Sequence, residues 1–133
     1  MYEVTIKQDF SAAHTLMEMG GSREKLHGHN FAVEVSVCSD TLDRTGILID
    51  FRKLRAWTDE ILKELDHKYL NDVSYFKSLS PSSENIARYI YDRMSEKAKR
   101  ENLSVSRVTV WESGGACSTY YGKSDERRSE TKR

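Results

Sequence analysis

From Phe31 the chain alternates without a break: Phe31, Val33, Val35 and Val37 are separated by Ala32, Glu34 and Ser36. A period of two puts alternate side chains on one face of an extended strand, one face buried and the other wet, a pattern that a helix of period 3.6 does not match. His27 and His29 share the parity of Phe31. Extended back through Gly28 and Asn30, the strand turns two of the chain's four histidines toward the apolar side. Imidazoles on such a face need partners for their ring nitrogens, and a divalent metal is one such partner.

A second alternation opens the chain. Tyr2, Val4 and Ile6 alternate with Glu3, Thr5 and Lys7, giving a strand that runs toward Phe10, Ala12 and His14, again of one parity. The segment from Thr15 to Lys25, with its Gly20-Gly21 pair, reads as a loop. After the second strand a turn-rich connection leads to Asp50, a candidate N-cap for a helix with Phe51, Leu54, Trp57, Ile61, Leu62 and Leu65 at helical spacing. Serine caps and Pro81 in the first turn announce a second helix, with Ile86, Ile90, Met94 and Ala98 as its apolar stripe and Glu84 and Arg88 as an i,i+4 pair. Two more strands are expected near Arg107 to Glu112 and Ala116 to Tyr121, joined through Gly114-Gly115. The order strand, strand, helix, helix, strand, strand predicts an α+β domain, a four-stranded antiparallel sheet packed on a helix pair. Its two edges lack proline, which predicts edge-to-edge oligomerisation. The domain is expected over residues 1–122, and residues 123–133, nearly all polar and charged, as a disordered tail.

Charge and cysteine content narrow the function. Lys+Arg and Asp+Glu both number 21 among 133 residues, so no net positive field points to nucleic acid, and an anionic ligand needs a local basic pocket. No apolar run approaches the roughly 20 residues of a membrane span, and Met1 leads into a strand pattern rather than a signal peptide, so a cytoplasmic protein is expected. Cys38 and Cys117 stand in no CxxC pair and read as reduced thiols.

His14 ends its strand where His27 and His29 begin theirs. Three histidines with no fourth Cys or His suit a catalytic zinc site with one coordination position open, although a His-x-His pair also arises by coincidence at a strand end. Asp66 beside His67 is either a proton-relay pair or a helix-terminal histidine with a solvated carboxylate. Glu112 shares parity with Val108 and Val110 and should point inward. It then takes the NH groups of a ligand, pairs with an arginine such as Arg107, or is displaced by a register shift near Gly114 and Gly115.

Taken together, FSAAH (residues 10–14), LHGHNF (26–31), LDHKYLN (65–71), PSSENIA (81–87) and VWES (110–113), in this order and spacing, resemble the family of 6-pyruvoyltetrahydropterin and 6-carboxytetrahydropterin synthases. The resemblance implies the tunnelling fold, with two helices on one face of the sheet, subunits closing into barrels and a homohexamer built as a dimer of trimers. It implies zinc as cofactor with His14, His27 and His29 as ligands, Asp66 and His67 as the proton relay and Glu112 as the pterin anchor. Ser82, Ser83 and Glu84 would help line the pterin pocket, and the family substrate is 7,8-dihydroneopterin triphosphate. Most members carry a catalytic cysteine shortly before the His-Gly-His motif, yet the loop here holds none. Glu24 is its candidate replacement, as in the branch associated with side-chain cleavage to 6-hydroxymethyl-7,8-dihydropterin for folate synthesis; otherwise it is an exposed loop charge. The alternatives are 6-pyruvoyl or 6-carboxy synthase activity, the latter in queuosine synthesis, or a non-catalytic pterin-binding relative.

Overall fold

The computed structural model describes residues 1–16 and 26–123, the His27 side chain excepted. Glu24 and the tail from residue 124 therefore lie outside the described residues. Strands β1 (Tyr2–His14) and β2 (His27–Ser39) pair antiparallel along their full length, with Phe10 opposite Phe31, Ala12 opposite His29 and His14 opposite His27. The alternation predicted for both is observed: Ile6, Phe10, Ala12 and His14 are buried on β1, and Phe31, Val33, Val35 and Val37 on β2.

Helix α1 (Phe51–Leu62) starts where Asp50 accepts the Arg52 N–H, as its cap position predicts. Leu54, Ile61 and Leu62 are buried, whereas Phe51 is exposed because it falls on the solvent side of the first turn. Helix α2 (Ser83–Lys99) is capped by Ser82, which accepts from the Asn85 N–H. Pro81 thus precedes the cap instead of occupying the first turn. Ile86, Ile90, Met94 and Ala98 form the buried stripe as expected. Arg88 faces Asp92, one turn on, rather than Glu84. Strands β4 (Ser104–Ser113) and β5 (Ala116–Tyr120) complete the antiparallel part of the sheet.

Among the described residues the sheet has five strands, not the expected four, and it is mixed. Between the helices, β3 (Lys68–Tyr69) pairs parallel with β1 at Ala12 and Ala13, giving the order β3-β1-β2-β4-β5. Two residues carry no periodicity, so this strand is invisible to pattern reading. Short 3₁₀ turns over Leu70–Asp72 and Ser74–Lys77 then bridge to α2. Both helices bury their stripes against Val33, Val35, Val108 and Val110 in one core. The opposite face is polar, with Thr5 bonded to Ser36, Thr109 to Thr119 and the Trp111 Nε1–H donating to Glu34. No helix among the described residues is long and apolar enough to cross a membrane.

Candidate metal centre and groove

Antiparallel alternation brings the C-terminal end of β1, the N-terminal end of β2 and the C-terminal end of β4 to one end of the sheet. His14, His29 and Glu112 stand at these three ends, each with the parity of the core-facing residues behind it. One ligand atom from each lies within 4.8 Å of the others. His14 is fully buried. Its ring meets those of His29 and Phe31 nearly at right angles, at centroid distances of 5.2 and 5.4 Å. Phe31 in turn stacks on Phe10 at 5.1 Å, so the imidazoles rest on a packed aromatic floor.

The tautomer of His14 follows from its partner. Nδ1 lies 2.7 Å from the carbonyl oxygen of Pro81, which only accepts, so Nδ1 carries the proton. In the neutral ring Nε2 then presents a lone pair toward Glu112. Such an N–H to carbonyl contact is how metal-bound histidines are oriented. Nε2 of His14 and Oε1 of Glu112 are 3.7 Å apart. That exceeds hydrogen-bond range but is close to the roughly 3.4 Å separating two donors on one tetrahedral zinc with bonds of about 2.1 Å. Two imidazoles and a carboxylate are a donor set that suits zinc. His27 pairs with His14 in backbone register, adjoining this cluster.

Glu112 is the predicted inward carboxylate, and its surroundings decide among the readings open to it. Arg107 is not its partner, since Nη2 bonds Glu3 Oε1 at 3.0 Å. A register shift does occur, between Trp111 and Ser113, which makes Glu112 the extra residue of the β4 and β5 ladder. Its side chain is one-third exposed.

Asp66 and His67 do form a pair, with Oδ2 and Nδ1 3.0 Å apart. The Ser11 N–H donates to Asp66 Oδ1 at 2.9 Å and, as the largest influence, holds that carboxyl below its ordinary range; His67 adds to this. His67 adopts a left-handed backbone, φ 58°, while its N–H donates to the Ser11 carbonyl at 2.6 Å. Two further side chains of the same segment grip Thr15. Asn71 bonds both its N–H and its C=O, and the Tyr69 hydroxyl meets its Oγ1. Fastened in this way, the segment walls an open groove of about 420 Å³ lined by Ser11, Ala12, Gly28, His29, His67 and Lys68, among others. His29 therefore belongs to both the candidate metal cluster and the groove.

Above the cluster, the start of α2 supplies Pro81 to His14 and the Ser83 hydroxyl to the Ser118 hydroxyl at 2.7 Å. Glu84 accepts from Ser83, and its own backbone N–H, followed by that hydroxyl, keeps its carboxyl below the usual range. Among the participants that escaped sequence reading are the Pro81 carbonyl, the Ser11 peptide and Ser118. The first two are backbone groups and carry no residue signal. Ser118 carries one only in retrospect, as a hydroxyl opposite Val110 on the core-facing side.

A family model described as 6-pyruvoyl tetrahydropterin synthase matches residues 3–123. The 6-carboxy-5,6,7,8-tetrahydropterin synthase of Synechocystis sp. is 42% identical over 92 residues, covering 65% of this chain and 70% of its own. The dihydroneopterin monophosphate aldolase of Pyrococcus furiosus is 33% identical over 109 residues, covering 82% and 88%. Among solved structures, 6-pyruvoyl tetrahydropterin synthase of Caenorhabditis elegans aligns with a TM-score of 0.77 at 28% identity, over 92% of this chain and 98% of that one. The Plasmodium vivax 6-pyruvoyltetrahydropterin synthase, solved with a glutamate described as a catalytic residue replaced by alanine, aligns with a TM-score of 0.73 at 25% identity, over 90% and 96%.

Proposed function

Because the chain belongs to the 6-pyruvoyl tetrahydropterin synthase family, we propose that it is a zinc-dependent lyase that cleaves the side chain of a phosphorylated 7,8-dihydroneopterin to give 6-hydroxymethyl-7,8-dihydropterin. The observation that carries this reading is the placement of His29 between a metal-compatible cluster and the groove walled by the Asp66 and His67 pair. It supports a Lewis-acid position and a proton carrier on one open surface.

His14, His27 and His29 would hold the zinc, and the ion, when bound, supplies Lewis acidity that lowers the pKa of a coordinated hydroxyl. Glu24 accepts the proton of the second side-chain hydroxyl. As that oxygen becomes the carbonyl of the departing aldehyde, the bond between the first and second side-chain carbons breaks and its electron pair enters the pterin ring system. His67, oriented by Asp66, returns a proton to the first carbon. Glu112 accepts from pterin NH groups, and Ser82, Ser83 and Glu84 line the ring pocket. The cysteine-free loop before His27 supports carboxylate chemistry, as does the glutamate described as catalytic in the Plasmodium relative. The aldolase name of the Pyrococcus relative favours carbon-carbon cleavage.

Assembly belongs to the same reading. With β3 only two residues long, most of β1 stays an open edge, and β5 is the other. Six copies, as a dimer of trimers joined edge to edge, would supply the groove's second wall. A second reading, 6-carboxytetrahydropterin synthase, draws on the 42% identity to the Synechocystis protein. Incubation with 7,8-dihydroneopterin triphosphate and, in parallel, the monophosphate, followed by mass identification of the pterin, tests both. A 6-hydroxymethyl product supports the lyase, a 6-carboxy or 6-pyruvoyl product supports the second reading, and no conversion of either substrate refutes both.

A further inference from the structure

We propose that Glu112 is itself a ligand of the metal in the resting protein, occupying the position that substrate takes, and that it leaves the metal when a pterin binds; this rests on the zinc reading above. The carboxylate is aimed at the lone-pair side of a histidine whose other nitrogen is tied to Pro81. Its 3.7 Å separation from that nitrogen suits two donors on a common cation and is too long for a hydrogen bond. Among the described residues no arginine or lysine lies within ion-pair range of Glu112, whose neighbour at that range is the His14 imidazole.

Restraint is distributed unevenly across the cluster. His14 is sealed in the core and fixed at Nδ1, and His29 is held opposite Ala12 in the regular β1–β2 ladder. Glu112 sits at a bulge where Trp111 pairs with Cys117 and Ser113 with Ala116, leaving it without a partner in the ladder, and its side chain is one-third exposed. It is the member of the cluster able to swing. A carboxylate swung in toward His14 and a metal points away from the open groove in which a pterin's NH groups would meet it, so the two engagements alternate. The resting metal is thereby closed to water and bulk anions until a molecule with pterin-like donors draws the carboxylate away.

The test uses the full-length protein loaded with zinc, or with cobalt(II) as a spectroscopic substitute. Competition with a chromophoric chelator reads affinity, and the visible cobalt spectrum reads coordination. Glu112→Gln, which keeps the size but is a poor ligand, is expected to weaken zinc on the order of 10-fold to 10²-fold and to alter the cobalt spectrum. Unchanged affinity and spectrum in a Glu112→Gln protein of native circular dichroism overturn the proposal while leaving the zinc site standing. A parent protein that takes up no zinc overturns the zinc reading as well, so the two failures are distinguishable. A measurement on the unsubstituted protein guards against misfolding of the variant. Saturating 6-methyl-7,8-dihydropterin, which lacks side-chain oxygens, is expected to shift the parent cobalt spectrum, and a spectrum indifferent to it refutes the exchange.

Discussion

His67 holds a left-handed backbone at φ 58° because two contacts pull it there: its N–H reaches the Ser11 carbonyl, and its ring reaches Asp66. Replacing it by glycine and by alanine separates backbone from side chain. Either change removes an imidazole that is 83% exposed, whose ion pair adds little stability in water. Alanine keeps a Cβ and so the left-handed penalty of roughly 1–2 kcal/mol. Glycine escapes that penalty but brings an unfolded-state entropy cost of about 0.5–1 kcal/mol. His67→Gly should therefore be more stable than His67→Ala by about 0.5–1 kcal/mol, roughly 2–4 °C in melting temperature for a domain of this size. Both should lose turnover on the order of 10² to 10⁴ if the ring carries the proton. Urea unfolding and product formation, measured on both variants, give the two readings. Equal stability would mean that the backbone relaxes at residue 67 and that the Ser11 contact does not force its geometry. Undiminished turnover in either variant would remove His67 from the chemistry.

Glu24→Gln should keep the shape of the loop and lower turnover on the order of 10² to 10⁴, and parental rates would reduce Glu24 to a loop charge. Acid titration should report Asp66. Its carboxyl is held below the unfolded value of about 3.9, so it contributes stability above that pH and loses it as pH falls through the lower folded value. Asp66→Asn should therefore flatten the acid limb of a stability profile below about pH 4, and an unaltered limb would contradict the Ser11 contact. Ser82→Ala should cost about 1 kcal/mol in urea unfolding, since it removes the acceptor for the Asn85 N–H. Light scattering should give six copies at micromolar concentration, and a monomer would place the second wall of the groove in doubt.

What could be read beforehand was whatever repeats. The parity of Phe10, Ala12 and His14, and of His29 and Phe31, needs only a period of two, and it set both imidazoles on the core side as observed. Helix stripes and the Asp50 and Ser82 caps were legible for the same reason, being local patterns with local causes. Features fixed by tertiary contact were not. Nothing in Lys68 and Tyr69 signals a strand; they become one because Asp66, Tyr69 and Asn71 fasten that segment beside β1. Parity correctly turned Glu112 inward, but its nearness to His14 depends on β1 and β4 ending at the same level with β2 between them.

The hold of Pro81 on His14 joins residues 67 positions apart, and that of Ser11 on Asp66 spans 55. As the chain leaves the ribosome, the hairpin of β1 and β2 can close first, since its strands are neighbours in sequence. At that moment it displays His14 and His29 with neither the carbonyl that sets the tautomer nor the carboxylate of Glu112. The hairpin carries His14, His27 and His29 without the contact that orients His14, so on the proposed reading an ion taken up at this stage is held less firmly than in the finished domain. On that reading the distance between contacting residues acts as a timer, since the oriented site exists only once synthesis has passed β4.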